Sequence, residues 1–226
     1  MHDKVLFITG ASSGIGMATA RAASAAGWRV ALMARRGDVL ADLCDELGGV
    51  STALPLPGDA SDLSQQNRAM DEAARSFGGI DAVFANAGMG VDAPGVENGD
   101  PEEWDRLIRI NIMGVLWSAK AALPHLKRSG GHLLLTGSAA GRVHIRGSVY
   151  GATKWFVHGL AGNLAEEMRE WGGRCTLVAP GMVDTPFFET PKPTKLQPDD
   201  IAEAVVFALS QPKRADVREI FVMPTD

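Results

Sequence analysis

The chain has 226 residues, 22 Lys plus Arg against 27 Asp plus Glu, and a net charge of -5. That length buries one substantial core, so a single domain over 1–226 is expected, and no long block of Lys or Arg points to duplex nucleic acid or an anionic membrane as partner. Cys44 and Cys175 are too few and too isolated for a disulfide framework or a cysteine metal site, which fits a reducing, cytoplasmic compartment.

Val5–Thr9 is a continuous apolar run, too short for a signal-peptide core or a membrane span, and reads as a strand. It meets the turn Thr9-Gly10-Ala11-Ser12-Ser13-Gly14-Ile15-Gly16 and then an alanine-rich helix over about Ile15–Ala26. Glycines there let backbone approach a ligand closely, and the free N–H groups and positive end of the helix favour a diphosphate; tight packing alone is the alternative. Trp28–Ala34 is a second buried strand, ending in Arg35-Arg36. In a dinucleotide fold a carboxylate at this strand end accepts from a ribose 2′-hydroxyl, whereas an arginine pairs with a 2′-phosphate. The pair therefore favours NADP over NAD, the alternative being two solvated surface arginines.

A helix over about Asp38–Leu47, a strand near Val50–Leu54 and Gly58-Asp59-Ala60-Ser61-Asp62 follow. Asp59 is placed to contact an adenine edge, and Asp62 to cap the next helix, which runs to Phe77. Ile80–Ala85 is the fourth strand, and the small residues of Asn86-Ala87-Gly88 let a cofactor lie across the strand ends while Asn86 ties neighbouring strands together. After a polar Gly90–Gly99 loop, Asp100-Pro101-Glu102-Glu103 starts a helix that runs toward Pro124. Asn111 sits there among apolar neighbours, either as a satisfied structural amide or, beside a catalytic site, as a group that holds a water or opens a helix turn.

His132–Thr136 is the fifth strand, and Ser138 follows it twelve residues before Tyr150, so a short loop can return its hydroxyl to the phenol. Tyr150 is the only tyrosine; it opens a helix to Trp171 that carries Lys154 one turn on, on the same face. A phenol with pKa about 10 is protonated at neutral pH, and a nearby ammonium favours the phenolate; moving the pKa toward about 7 takes roughly 4 kcal/mol. The pair suits proton transfer to or from an alcohol oxygen, against the alternative of a packed tyrosine beside a solvated lysine. Cys175–Val178 is the sixth strand, ending Ala179-Pro180-Gly181-Met182-Val183-Asp184-Thr185, and the irregular, proline-rich stretch to Lys195 reads as a short mobile lid or substrate loop. A helix over Asp199–Leu209 and a strand over Glu219–Met223 finish the chain. Strands alternating with helices predict an α/β fold: a Rossmann-type doubly wound parallel sheet of about seven strands, helices on both faces, and ligand at the carboxyl ends.

Over nearly the whole chain, Thr9-Gly10-x-x-x-Gly14-x-Gly16, Asn86-Ala87-Gly88, Asn111, Ser138, Tyr150-x-x-x-Lys154 and Pro180-Gly181 stand in an order that resembles the short-chain dehydrogenase/reductase superfamily in its compact single-domain form. The resemblance implies Tyr150 as acid/base, with Ser138 orienting and polarising the substrate oxygen. It also implies that Lys154 lowers the tyrosine pKa and holds the nicotinamide ribose, and that Asn111 supports a water relay to Lys154. Cofactor contacts are implied for Gly10, Ser12, Ser13, Gly14, Ile15, Gly16, Arg35, Arg36, Asp59, Ala60, Asn86, Ala87, Gly88, Tyr150, Lys154, Pro180, Gly181, Val183 and Thr185, with Pro180-Gly181 and Thr185 at the nicotinamide end. A homo-oligomer, tetramer or dimer, built on the helices containing Asn111 and Tyr150 is implied as well.

Position 13 is serine where many NADP-preferring members carry a basic residue, so the preference rests on Arg35 and then Arg36, with NAD as the alternative. The short region after Thr185 argues against a large lipid or steroid substrate. Leu196-x-Pro-Asp-Asp-Ile-Ala-x-Ala-Val and Met223-Pro-Thr are similar to the branch acting on 3-hydroxy acids such as serine. The expected activity is hydride transfer between NADP(H) and a small secondary alcohol or carbonyl, with no metal. His144 and Arg146 are expected to line the pocket, Arg146 reading a substrate carboxylate or else being a surface arginine. The rival readings are a non-catalytic dinucleotide-binding redox sensor and an epimerase or dehydratase with retained cofactor.

Overall fold

The computed structural model describes residues 4–91 and 95–225. Seven parallel strands form one sheet in the order β3-β2-β1-β4-β5-β6-β7: β1 Val5–Thr9, β2 Arg29–Ala34, β3 Ala53–Pro57, β4 Ala82–Ala85, β5 His132–Thr136, β6 Arg174–Pro180 and β7 Glu219–Val222. The helices are α1 Gly14–Ala25, α2 Gly37–Glu46, α3 Leu63–Phe77, α4 Pro101–Ile108, α5 Val115–Ser129, α6 Val149–Arg169 and α7 Pro198–Ser210. Alternation along β1 explains both layers. Val5 and Phe7 enter a core with α3, α5 and α6, while Leu6 and Ile8 enter the opposite core with α1, α2 and α7. A strand buried on both faces reads as unbroken apolar sequence, as β1 does.

Two predicted elements are corrected. The third strand was expected near Val50–Leu54 but lies at Ala53–Pro57, because Gly48 and Gly49, at φ 100° and 81°, carry the chain out of α2 and a turn occupies Ser51-Thr52. Its prolines are tolerated because β3 pairs only with β2, and an edge strand can lack ladder donors on its open side. The helix expected from Asp100 toward Pro124 is interrupted by a π-helical segment, Arg109–Gly114, and then continues past Pro124 to Ser129, where Gly130 at φ 60° ends it. The widened turn contains Asn111, for which a structural amide or a group that opens a helix turn are the two readings. Asp62 and Asp100 cap α3 and α4 as expected, accepting from the amides of Ser64 and Gln65 and of Glu102. Of the predicted Gly90–Gly99 loop, positions 92–94 lie outside the described residues. Among the described residues no helix is long and apolar enough to cross a membrane.

Candidate active site

In a parallel sheet every strand delivers its following residues to the same edge, and the order reverses between β1 and β4, leaving a crevice there. The turn after β1 borders this crevice. Gly10 takes φ 69°, and a Cβ on Gly16 would fall 2.3 Å from the Gly10 carbonyl oxygen and 2.7 Å from Asn86 Nδ2, so only hydrogen fits. Ser13 stands at the N-cap of α1 in extended conformation with no side-chain cap bond, which leaves the first amides of the helix for an anion. Gly14 and Ile15 follow in the first turn, Ile15 anchored against the α1-side core. A tight glycine turn with uncapped amides fits a dinucleotide diphosphate.

Arg36 donates from Nη2 to the Ser12 carbonyl at 2.8 Å and from Nη2 and Nε to Ser12 Oγ at 3.0 and 3.2 Å. Arg36 is thus tied to the phosphate turn, while Arg35 beside it is exposed at the end of β2. Asp59 Oδ1 accepts from the Ser61 amide and hydroxyl, both at 2.8 Å, so one oxygen intended for an adenine edge already closes a local turn. The Ala60 carbonyl is likewise occupied, by Gln66 Nε2 at 2.6 Å.

Asn86 ties three strands, as expected. Its amide and that of Ala87 donate to Thr9 Oγ1 at 3.0 and 3.1 Å, its Nδ2 to the Thr9 carbonyl at 3.1 Å, and its Oδ1 accepts from Thr136 Oγ1 at 3.2 Å. Beyond Gly88, the Met89 amide donates to Asn111 Oδ1 at 2.9 Å, and Asn111 Nδ2 donates to the Met89 carbonyl and to Thr153 Oγ1 at 3.0 and 3.2 Å. Both amide protons of Asn111 are thus engaged in bracing the post-β4 loop against α6, and its side chain offers none to a relay toward Lys154.

Ser148 caps α6, accepting from Gly151 N at 2.9 Å, and so sets Tyr150 in the first turn. Ser138 Oγ accepts from the Ala140 amide at 3.1 Å, which leaves its single proton for the Tyr150 phenol, whose pKa Ser138 pulls down. Lys154, 6% exposed, donates from Nζ to the Thr136 carbonyl at 2.9 Å and lies 5.7 Å from the Tyr150 ring centroid. Burial drives its pKa down to about 8. The phenol does not follow the expected direction: burial raises its pKa above the usual value, against which the Ser138 hydrogen bond pulls down. The ammonium, itself desolvated and turned to a carbonyl, does not reverse that. The resulting set is a phenol that keeps its proton at neutral pH and can donate it to an oxygen gaining charge.

Pro180 ends β6, and Gly181 packs under Pro224, donating to the Val222 carbonyl at 2.7 Å. Val183 is 5% exposed and belongs to the core. Thr185 covers the phosphate turn, its Cγ2 3.1 Å from where a Gly14 Cβ would stand. The stretch after it brings Phe187 edge-on to Tyr150 at 5.5 Å between centroids. Beside them is an open cleft of about 210 Å³, walled by Tyr150, Val91, Trp104, Ile145, Arg146, Val149 and Phe187. Arg146 lines it as expected; His144 does not, being stacked on Trp155 at 5.4 Å. Thr136, Thr153, Trp104 and Phe187 escaped sequence reading, since each acts across 18 or more residues or only as a wall.

A sequence model described as short chain dehydrogenase matches residues 4–195. An uncharacterized oxidoreductase of Staphylococcus aureus (strain MRSA252) is 39% identical over 99% of this chain and 98% of its own length. Among solved structures, an alcohol dehydrogenase from the archaeon Thermococcus sibiricus complexed with 5-hydroxy-NADP is similar at 34% identity and TM-score 0.89, covering 98% of this chain and 97% of its own. A 3-ketoacyl-(acyl-carrier-protein) reductase from Brucella melitensis complexed with NADH is similar at 29% identity and TM-score 0.90, with the same coverage of 98% and 97%.

Proposed function

The chain belongs to the short-chain dehydrogenase family and is an oxidoreductase using a nicotinamide dinucleotide on CH–OH or carbonyl groups; we propose that it prefers NADP and acts on a small carboxylate-bearing secondary alcohol or carbonyl of the 3-hydroxy acid type. The whole chain, 1–226, works as one domain, as a cytoplasmic homo-oligomer with no nucleic-acid or membrane partner. Ile108 and Trp155, exposed on the helices flanking Asn111 and carrying Tyr150, support that assembly.

The observation that carries the reading is the buried Lys154 on the Thr136 carbonyl beside the Tyr150 ring, with Tyr150 in the wall of an open cleft. In the reductive direction Ser138 and Tyr150 hydrogen-bond the carbonyl oxygen and Tyr150 gives it a proton, stabilising the charge that develops there. The bound nicotinamide supplies, or in reverse accepts, the hydride. With its ionisation raised by burial, Tyr150 serves as donor near neutral pH, and the oxidative direction speeds up as the medium becomes alkaline.

Arg36 on the phosphate turn and Arg35 beside it support NADP. Arg36→Ala is expected to weaken NADPH binding by roughly 10- to 100-fold, the size of a lost charged hydrogen bond, with NADH almost unchanged. Binding titrations with both cofactors check this, and equal or tighter NADH binding by the unaltered protein defeats the preference. Arg146 is the only cation in the wall of the cleft and has no ion-pair partner among the described residues, with Trp104, Ile145, Val149 and Phe187 around it. Arg146→Ala should lower kcat/KM for 3-hydroxybutanoate relative to its methyl ester by roughly 10- to 100-fold. A ratio that does not move removes the carboxylate from the proposal.

A further inference from the structure

His158 lies one helical turn beyond Lys154 and two beyond Tyr150 on α6, so all three share a face. Its Nε2 is 3.0 Å from the Ser138 carbonyl oxygen. A carbonyl only accepts, so Nε2 carries the proton and donates. The same oxygen accepts from the Gly141 amide at 2.9 Å. The turn is pressed flat against the ring: a Cβ would fall 2.9 Å from Nε2 at Gly137 and 2.6 Å from Cδ2 at Gly141.

The surroundings leave His158 little to do as a charge. Arg142 and, from β7, Glu219 face it, and these two pair with each other, Arg142 Nε donating to Glu219 Oε1 at 3.0 Å; Lys154 is the third charged neighbour. Burial holds the imidazole below its ordinary pKa, opposed first by its own bond to the Ser138 carbonyl. Neutral or charged, Nε2 keeps its proton in this arrangement, so the contact does not depend on titration of the ring.

We propose that His158 is a positioning residue, which by gripping the Ser138 carbonyl aims the Ser138 hydroxyl at the Tyr150 phenol. This rests on reading Ser138 and Tyr150 as the proton-handling pair, and it adds the residue that holds their geometry. Ser138 is the group that opposes burial at the phenol, while Lys154 flanks the ring and Phe187 packs on it. Slackening Ser138 should therefore move the phenol's ionisation upward.

Tyr150 is the sole tyrosine, so biosynthetic replacement of tyrosine by 3-fluorotyrosine labels this position alone and brings its titration to lower pH. Fluorine NMR of the full chain then reads the phenol with no substrate required. His158→Ala should raise the midpoint by roughly 0.3 to 1 pH unit, the equivalent of one hydrogen bond, as should Ser138→Ala. His158→Gln, which keeps an N–H donor, should restore most of the difference, and His158→Leu replaces the alanine variant if that one fails to fold. In the Ser138→Ala background, His158→Ala should add nothing. An unmoved midpoint, or an equal shift with Ser138 absent, overturns the proposal. Absence of turnover on every carbonyl substrate would count against the proposed function and leave this titration readable.

Discussion

Tyr150→Phe is expected to keep the fold and the affinity for cofactor while lowering kcat by about 10²- to 10⁴-fold, the usual contribution of a positioned proton donor. The ring remains in its edge contact with Phe187 at 5.5 Å and beneath Lys154 Nζ at 5.7 Å, so packing changes little. What disappears is the hydroxyl whose pKa Ser138 pulls down. Ser138 then remains the lone donor to a carbonyl oxygen gaining negative charge, and no protein proton reaches it directly. Steady-state rates in both directions, with cofactor binding measured separately, check this. A variant within a few-fold of the parent removes Tyr150 from the chemistry. A loss confined to cofactor binding would make it a wall of the dinucleotide crevice.

Which parts of this site were legible follows from where their physics resides. A strand buried on both faces must be apolar throughout, so β1 and β5 showed their limits, and parallel topology then placed the residues after each strand at one edge. Gly16 was legible because the close approach tolerates no side chain. The strand β3 was harder, since Pro55 and Pro57 argue against a strand unless it is known to be an edge. Whether Arg35 or Arg36 turned toward Ser12 depended on one residue of register at a strand end. The grip of Lys154 on Thr136 and of His158 on Ser138 left no mark at all, because the acceptors are backbone carbonyls and any residue type supplies one.

The direction of the Tyr150 ionisation was misjudged for a related reason. Spacing shows that an ammonium stands one helical turn from the phenol, but not that both are out of water. Coulomb attraction and desolvation oppose each other, and only burial decides which wins. A phenol with its pKa raised holds its proton firmly until an oxygen of higher basicity needs it. Lys154 then contributes less by making a phenolate than by keeping a positive charge in a place where water cannot.

That burial carries a cost in the folded protein alone, and Lys154→Met should expose it. The Lys154 pKa falls from 10.5 to about 8 on folding, so between those values the unfolded chain binds more protons than the native one. Stability due to this group therefore rises with pH through that window; its penalty is complete below about 8 and gone above 10.5. At 1.36 kcal/mol per unit, the stability of Lys154→Met relative to the parent should fall, on raising the pH from neutral through the window, by on the order of 3 kcal/mol. Methionine also leaves the Thr136 carbonyl without its donor, but that cost is constant with pH and does not touch the slope. Burial raises the Cys175 thiol to about 12 and raises Tyr150 as well, so each lowers stability in alkali, yet both are present in both proteins and cancel in the difference. Activity should fall by about 10²-fold or more with loss of a fixed charge beside the proton donor. Urea unfolding of the two proteins at matched pH values decides the matter: a difference independent of pH would mean that Lys154 is ionised as freely in the fold as in water, and its role beside Tyr150 would have to be assigned anew.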